Sequence, residues 1–127
     1  MDAFYATLLE AAGGGFSLAE AAEALAISRQ AMHEQISTGW VLGMVHDDQI
    51  VVPRLQFRPG DGRSEILLGI GRVVRLFEET KAGPWAALQF LIEPDPNIGT
   101  APIAALRDGR VEAVAHAARA FLRIDED

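Results

Sequence analysis

The chain has 127 residues, half of them hydrophobic and 23% charged, enough for one compact core or two small lobes sharing one. The lack of cysteine excludes a disulfide framework and a thiolate metal site. The net charge of −7 disfavours simple coating of nucleic acid, where lysine and arginine must displace counterions. No apolar run approaches the ~20 residues that span a bilayer, and Met1-Asp2-Ala3-Phe4 lacks the basic start of a secretion signal, so a cytoplasmic protein without membrane contacts is expected.

Residues 4–12 read as a short helix stopped by Gly13-Gly14-Gly15. Ser17 with Glu20 has the spacing of a capping box, and Leu18, Ala21, Ala22 and Leu25 then share one helical face. Ala26-Ile27-Ser28 breaks that pattern. Ser28 suits the N-cap of a second helix over residues 29–37, with Met32 and Ile36 inward and Thr38-Gly39 as its stop. Residues 41–45 and 49–52 are rich in β-branched side chains and flank His46-Asp47-Asp48, a tight turn. Arg58-Pro59-Gly60-Asp61-Gly62 is polar and full of breakers, and it divides the chain into residues 1–57 and 58–127.

Beyond it, Ile66, Ile70, Val73, Val74 and Phe77 mark an amphipathic helix, with Arg75 and Glu79 paired on its outer side. Gly69 and Gly71 inside this pattern predict a close packing contact or a late helix start. Trp85, Leu88, Leu91 and Ile92 form the next stripe, closed by Pro94 and Pro96. Pro102 and Gly109 bracket a short helix. A last helix over residues 110–122 is expected to bury Val111, Val114, Ala115, Ala118, Phe121 and Leu122, ahead of the acidic ending Asp125-Glu126-Asp127.

Nothing in this pattern makes an enzyme. His33, His46 and His116 fall on three different elements, without the i, i+4 partner of a helical metal site. Glu78 and Glu79 are adjacent and point about 100° apart on a helix. The serines lack a nearby histidine and oxyanion loop, and Gly13-Gly14-Gly15 is followed by no phosphate-binding lysine. No metal and no cofactor are expected.

Two short helices joined by a three-residue turn and followed by a hairpin describe a winged helix-turn-helix. The run from residue 17 to residue 52 resembles the excisionase-like and MerR-like DNA-binding modules, with Ala26 where such modules often carry glycine. On that reading Ile27 and Met32 are buried, and Ser28, Arg29, Gln30, His33 and Glu34 face a major groove. Arg29 suits guanine and Gln30 adenine, Ser28 holds a phosphate at the helix N-terminus, and His46 or Arg54 touches the DNA backbone. Up to Phe57, however, Arg29 and Arg54 stand alone against seven carboxylates, so DNA binding calls for a dimer or a partner that supplies charge.

From Trp85 onward the chain resembles the toxin-binding domain of the Xre/MbcA/ParS antitoxin family. The matching residues are Trp85, Leu88, Phe90-Leu91, Pro94-Asp95-Pro96-Asn97, Ile98-Gly99, Pro102, Leu106-Arg107, Gly109-Arg110, Val114 and Ala117-Ala118. With the linking run Val52-Pro53-Arg54-Leu55-Gln56-Phe57, the likeness covers most of residues 40–122. It implies a mainly α protein in which the winged helix-turn-helix precedes a helical toxin-binding and dimerisation domain. It further implies an antitoxin of a type II toxin–antitoxin system that binds a RES-type, NAD-attacking toxin, forms a homodimer and acts on its own promoter DNA. Toxin contacts are expected at Trp85, Phe90, Arg107, Arg110, Arg119 and Arg123 and at the acidic ending Asp125, Glu126 and Asp127. The alternative is a stand-alone transcription regulator whose second part only dimerises.

Overall fold

A computed structural model describes residues 2–124. Seven α-helices among the described residues are joined by two small antiparallel sheets, so the fold is predominantly helical. None of these helices is long and apolar enough to cross a membrane.

Helix α1 (Asp2–Ala11) ends where Gly13 and Gly14 take positive φ, a conformation that costs glycine little. Strand β1 (Gly15–Ser17) leads directly into α2 (Leu18–Leu25). The capping box there is complete, with the Glu20 amide donating to Ser17 Oγ at 3.1 Å and the Ser17 amide donating to Glu20 Oε1 at 2.9 Å. After a turn at residues 26–28, α3 (Arg29–Ser37) is capped by Ser28 Oγ, which accepts from the Ala31 amide at 3.0 Å. Ala26 sits in the left-handed region at φ 59°, where a Cβ is strained and glycine is not.

Strands β2 (Met44–His46) and β3 (Gln49–Pro53) pair antiparallel, and β1 adds to the other edge of β3. Asp47 and Asp48 both have positive φ, as a two-residue hairpin turn matched to strand twist requires. The first strand begins later than its β-branched run suggests. Val41 and Leu42 are buried outside the sheet, and the side chain of Gln56 takes the place of a strand for Leu42. Gln56 Oε1 accepts from the Leu42 amide at 2.9 Å, while its Nε2 donates to the carbonyls of Leu42 at 2.8 Å and Pro53 at 3.0 Å.

The breaker-rich stretch after Phe57 is a second hairpin, β4 (Phe57–Pro59) with β5 (Ser64–Ile66), and this is what sequence patterning missed. Phe57 and Ile66 pack against a small core of Ala21, Ala22, Leu25, Met32, Val41 and Val52 under the α2–α3 pair. The larger core draws on both sides of residue 57. Leu8, Leu9, Ala12, Leu42, Met44 and Leu55 join residues of the four later helices in it.

Those helices are α4 (Ile70–Glu79), α5 (Pro84–Ile92), α6 (Pro102–Arg107) and α7 (Val111–Leu122). Helix α4 starts late, at Ile70, and also makes the close contact. A Cβ on Gly69 would lie 2.8 Å from Leu106 Cδ2 and 3.1 Å from Val111 Cγ1, so glycine lets this turn approach α6 and α7. Between α5 and α6, the Asp95 carboxylate accepts from the Asn97 amide at 2.8 Å, and the Asp95 amide donates to the Thr100 carbonyl at 3.0 Å. This bridge holds the two helices without being helical itself. On α7, Val114, Ala115, Ala117 and Ala118 are buried as the alanine-rich pattern suggests, but Phe121 is 47% exposed.

Candidate functional site

The α2–turn–α3 unit presents one exposed strip. Met32 is fully buried and Ile27 packs with it, which fixes the rotation of α3. Arg29, Gln30, His33 and Glu34 are all exposed as a result. Arg29 makes no ion pair among the described residues, so its guanidinium is available to an incoming ligand. His33 and Ser37 are linked along the helix, with Nδ1 and Oγ 3.5 Å apart and Ser37 Oγ donating to the His33 carbonyl at 3.0 Å. Ser28 already uses its hydroxyl oxygen as the cap, which leaves its O–H free to donate.

The two candidates for contact with a DNA backbone, His46 and Arg54, lie elsewhere. Arg54 is exposed, but its guanidinium rests 4.2 Å above the ring of Phe16 and lies against Gly14, at the junction of α1 with the sheet. The His46 side chain is only 17% exposed. Its ring stands edge-on to Trp85 with centroids 5.8 Å apart, and its Nε2 is 3.6 Å from the Asp47 carboxylate. Trp85 in turn stacks on Tyr5 at 4.0 Å and 11° between planes. Helix α1, the β2–β3 hairpin and α5 are thus tied by one aromatic column, with Trp85 half-buried in the middle of it.

The remaining C-terminal candidates scatter over three environments. Phe90 is 2% exposed, enclosed by Phe77 and Phe121, and the member of that cluster reaching solvent is Phe121. Arg107 is exposed yet donates through Nη2 to the Leu55 carbonyl at 3.2 Å, clipping α6 to the segment after β3. Arg110 precedes α7 and Arg123 follows it, both exposed, while Arg119 is half-buried on its last turn. The acidic ending Asp125, Glu126 and Asp127 lies outside the described residues.

Ion pairing on α4 differs from the sequence expectation for a geometric reason. Arg75 does not pair with Glu79. It lies 4.3 Å over the indole of Trp40 and donates to the Gly39 carbonyl at 3.4 Å, because Trp40 stands beside α4. Glu112 of α7 accepts from Arg72 of α4.

These contacts border a groove of about 1010 Å³ between α3 and α4. Its floor is apolar, made by residues 66–69, Val111 and Trp40. Glu34, Gln35 and Thr38 form the α3 bank, and Arg72, Arg75 and Glu112 the opposite one. The sequence offered no signal for it, since its walls come from segments more than thirty residues apart whose individual members look like ordinary surface. No cluster of three or more metal-ligating side chains occurs among the described residues. What the arrangement offers chemically is recognition: an exposed polar helix face, scattered arginines and an apolar groove with charged banks.

Compared with known proteins, the chain matches no family model, no curated protein and no solved structure.

Proposed function

We propose that this chain is the antitoxin of a type II toxin–antitoxin pair, a homodimer that neutralises a RES-type, NAD-attacking toxin by direct binding and acts on its own promoter. The observation that carries the reading is the ordered run from Trp85 to Ala118, with its two-proline bridge and the Leu106-Arg107-x-Gly109-Arg110 step into an alanine-rich helix. In support, this run builds a compact platform in which α5, the bridge, α6 and α7 share one core, with Arg107, Arg110, Phe121 and Arg123 on its outside. Planar guanidinium groups suit carboxylates of a protein partner, and an exposed aromatic ring suits the centre of such an interface.

The α2–α3 pair with its three-stranded sheet is read as a winged helix-turn-helix. In that module Arg29 and Gln30 address base edges from the first turn of α3. The hairpin that would serve as the wing is held against Trp85, so most of the DNA contact falls to α3. The second reading, a regulator without a toxin, rests on this same exposed α3 face.

Co-expression with the product of the neighbouring reading frame separates the two. The antitoxin reading expects a co-purifying complex and rescue of growth arrest by this chain. A toxic neighbour left unbound and unrescued would overturn it.

A further inference from the structure

We infer that the β4–β5 hairpin, rather than β2–β3, is the second element that meets DNA, with Arg63 seated on a backbone phosphate beside the groove that α3 enters. The inference rests on the DNA-binding part of the reading above and deepens it by naming the flanking contact. Arg63 also adds, from within the chain, one of the cations that residues 1–57 lack.

The two hairpins differ in charge and in placement. The tip of β2–β3 is Asp47-Asp48, and the neighbouring His46 is packed against Trp85 of α5. Two carboxylates at a tip repel a phosphate backbone. The β4–β5 hairpin instead lies along the α2–α3 unit. Arg63 shares a shallow pocket of about 280 Å³ with Leu25 and Ile27, around the turn before α3, and with Gln35 on α3 itself. Ile66, at the end of β5, packs on the core beneath these helices and fixes the hairpin to them.

Strand register decides which arginine of the hairpin is free. Arg58 stands opposite Glu65 in the ladder, and its Nε lies 3.8 Å from the Glu65 carboxylate. Arg63 falls in the turn, one residue before β5, and makes no ion pair among the described residues, not even with Asp61 of the same turn. Its main chain is held, since its carbonyl accepts from the Gly60 amide at 2.8 Å, while its side chain is exposed. Arg29, also exposed and without an ion pair among the described residues, begins α3 two positions after Ile27. Two free guanidinium groups thus flank one turn, Arg29 on the helix that addresses bases and Arg63 on the hairpin at its side. A guanidinium fork matches phosphate oxygens. Such a contact positions a protein on the duplex without reading its sequence.

The test is the affinity of the purified full chain, over a series of salt concentrations, for duplex DNA from immediately upstream of its reading frame and for a random-sequence duplex. Arg63→Ala should weaken binding to both duplexes by the same factor, about tenfold. It should also lower the slope of log affinity against log salt by about one. Arg63→Lys keeps the charge and should keep the slope. Arg29→Ala should instead reduce the preference for the upstream duplex over the random one. Asp48→Asn should leave affinity unchanged, whereas a β2–β3 tip lying on DNA would bind more tightly once that charge is gone. All four changes are at exposed side chains outside both cores, and circular dichroism confirms that each variant is folded. Wild-type affinity and slope in Arg63→Ala, a loss confined to the upstream duplex, or tighter binding by Asp48→Asn overturns the assignment to the β4–β5 hairpin while DNA binding stands. A wild-type chain that binds neither duplex at any salt concentration overturns the DNA-binding reading, and this assignment with it.

Discussion

Tyr5 and Trp85 stack face to face, centroids 4.0 Å apart and planes 11° from parallel, although 80 positions separate them in the chain. The pair fastens the first helix to the fifth, and His46 at the edge of Trp85 adds the β2–β3 hairpin. A chain assembled in this way has one continuous larger core. Urea unfolding followed by tryptophan fluorescence and by far-UV circular dichroism should therefore give coincident single transitions. Trp85→Ala should lower stability by about 2–3 kcal/mol, below the usual cost for a fully buried tryptophan because this one is half-buried. A double-mutant cycle with Tyr5→Ala should show coupling of about 0.5–1.5 kcal/mol.

Gln56 is fully buried and makes three hydrogen bonds, two of them to the main chain of Leu42. Truncation to alanine leaves buried amide and carbonyl groups without partners, each costing about 1–3 kcal/mol. Gln56→Ala is expected to destabilise by about 3 kcal/mol or more in denaturant titrations. Gln56→Glu should be no better, since a carboxylate cannot donate to the Leu42 and Pro53 carbonyls. A near-neutral effect of either substitution would mean that the segment around Leu42 is held by something else.

Ala26 closes α2 in the left-handed conformation at φ 59°, and it is exposed. Ala26→Gly relieves the strain at that position but adds freedom to the unfolded chain, and the relief outweighs the added freedom. The variant should be more stable by about 0.5–1 kcal/mol, read as a rise in Tm. A fall in Tm would contradict the backbone assigned to the turn.

The helices were legible from periodicity and caps, because Ser17, Ser28 and Pro102 mark starts and the triple glycine marks a stop through purely local chemistry. Contacts across the chain were less so. Phe57 and Ile66 flank a glycine-rich turn and form a hairpin, yet their strands are only three residues each, too short for alternation to register. The sequence reading buries Phe121 on the last helix and leaves Phe90 for a toxin contact, and the structure reverses the two. Which of the two is enclosed depends on how α5 and α7 pack over Phe77, and the wrapping leaves Phe121 outside. The α3–α4 groove was invisible for the same reason, since a depression belongs to no single segment.

Arg29 and Gln30 are exposed on the first turn of α3 and touch none of the cores, so replacing both with alanine should leave thermal stability unchanged. On the proposed DNA-binding reading these side chains make two base contacts at about 1–3 kcal/mol each, and their loss should abolish a gel shift with the promoter fragment at low salt. The proposed toxin neutralisation should persist, because that reading assigns it to the other end of the molecule. Equal loss of both activities would show that the two ends do not divide the work.

The proposed neutralisation is tested by titrating the purified chain into the purified product of the neighbouring reading frame, with NAD consumption as the signal. NAD loss should fall linearly to zero at a fixed ratio of the two proteins, and the chain alone should leave NAD untouched. Undiminished NAD consumption at a large excess of this chain would mean that it is not the toxin's antidote.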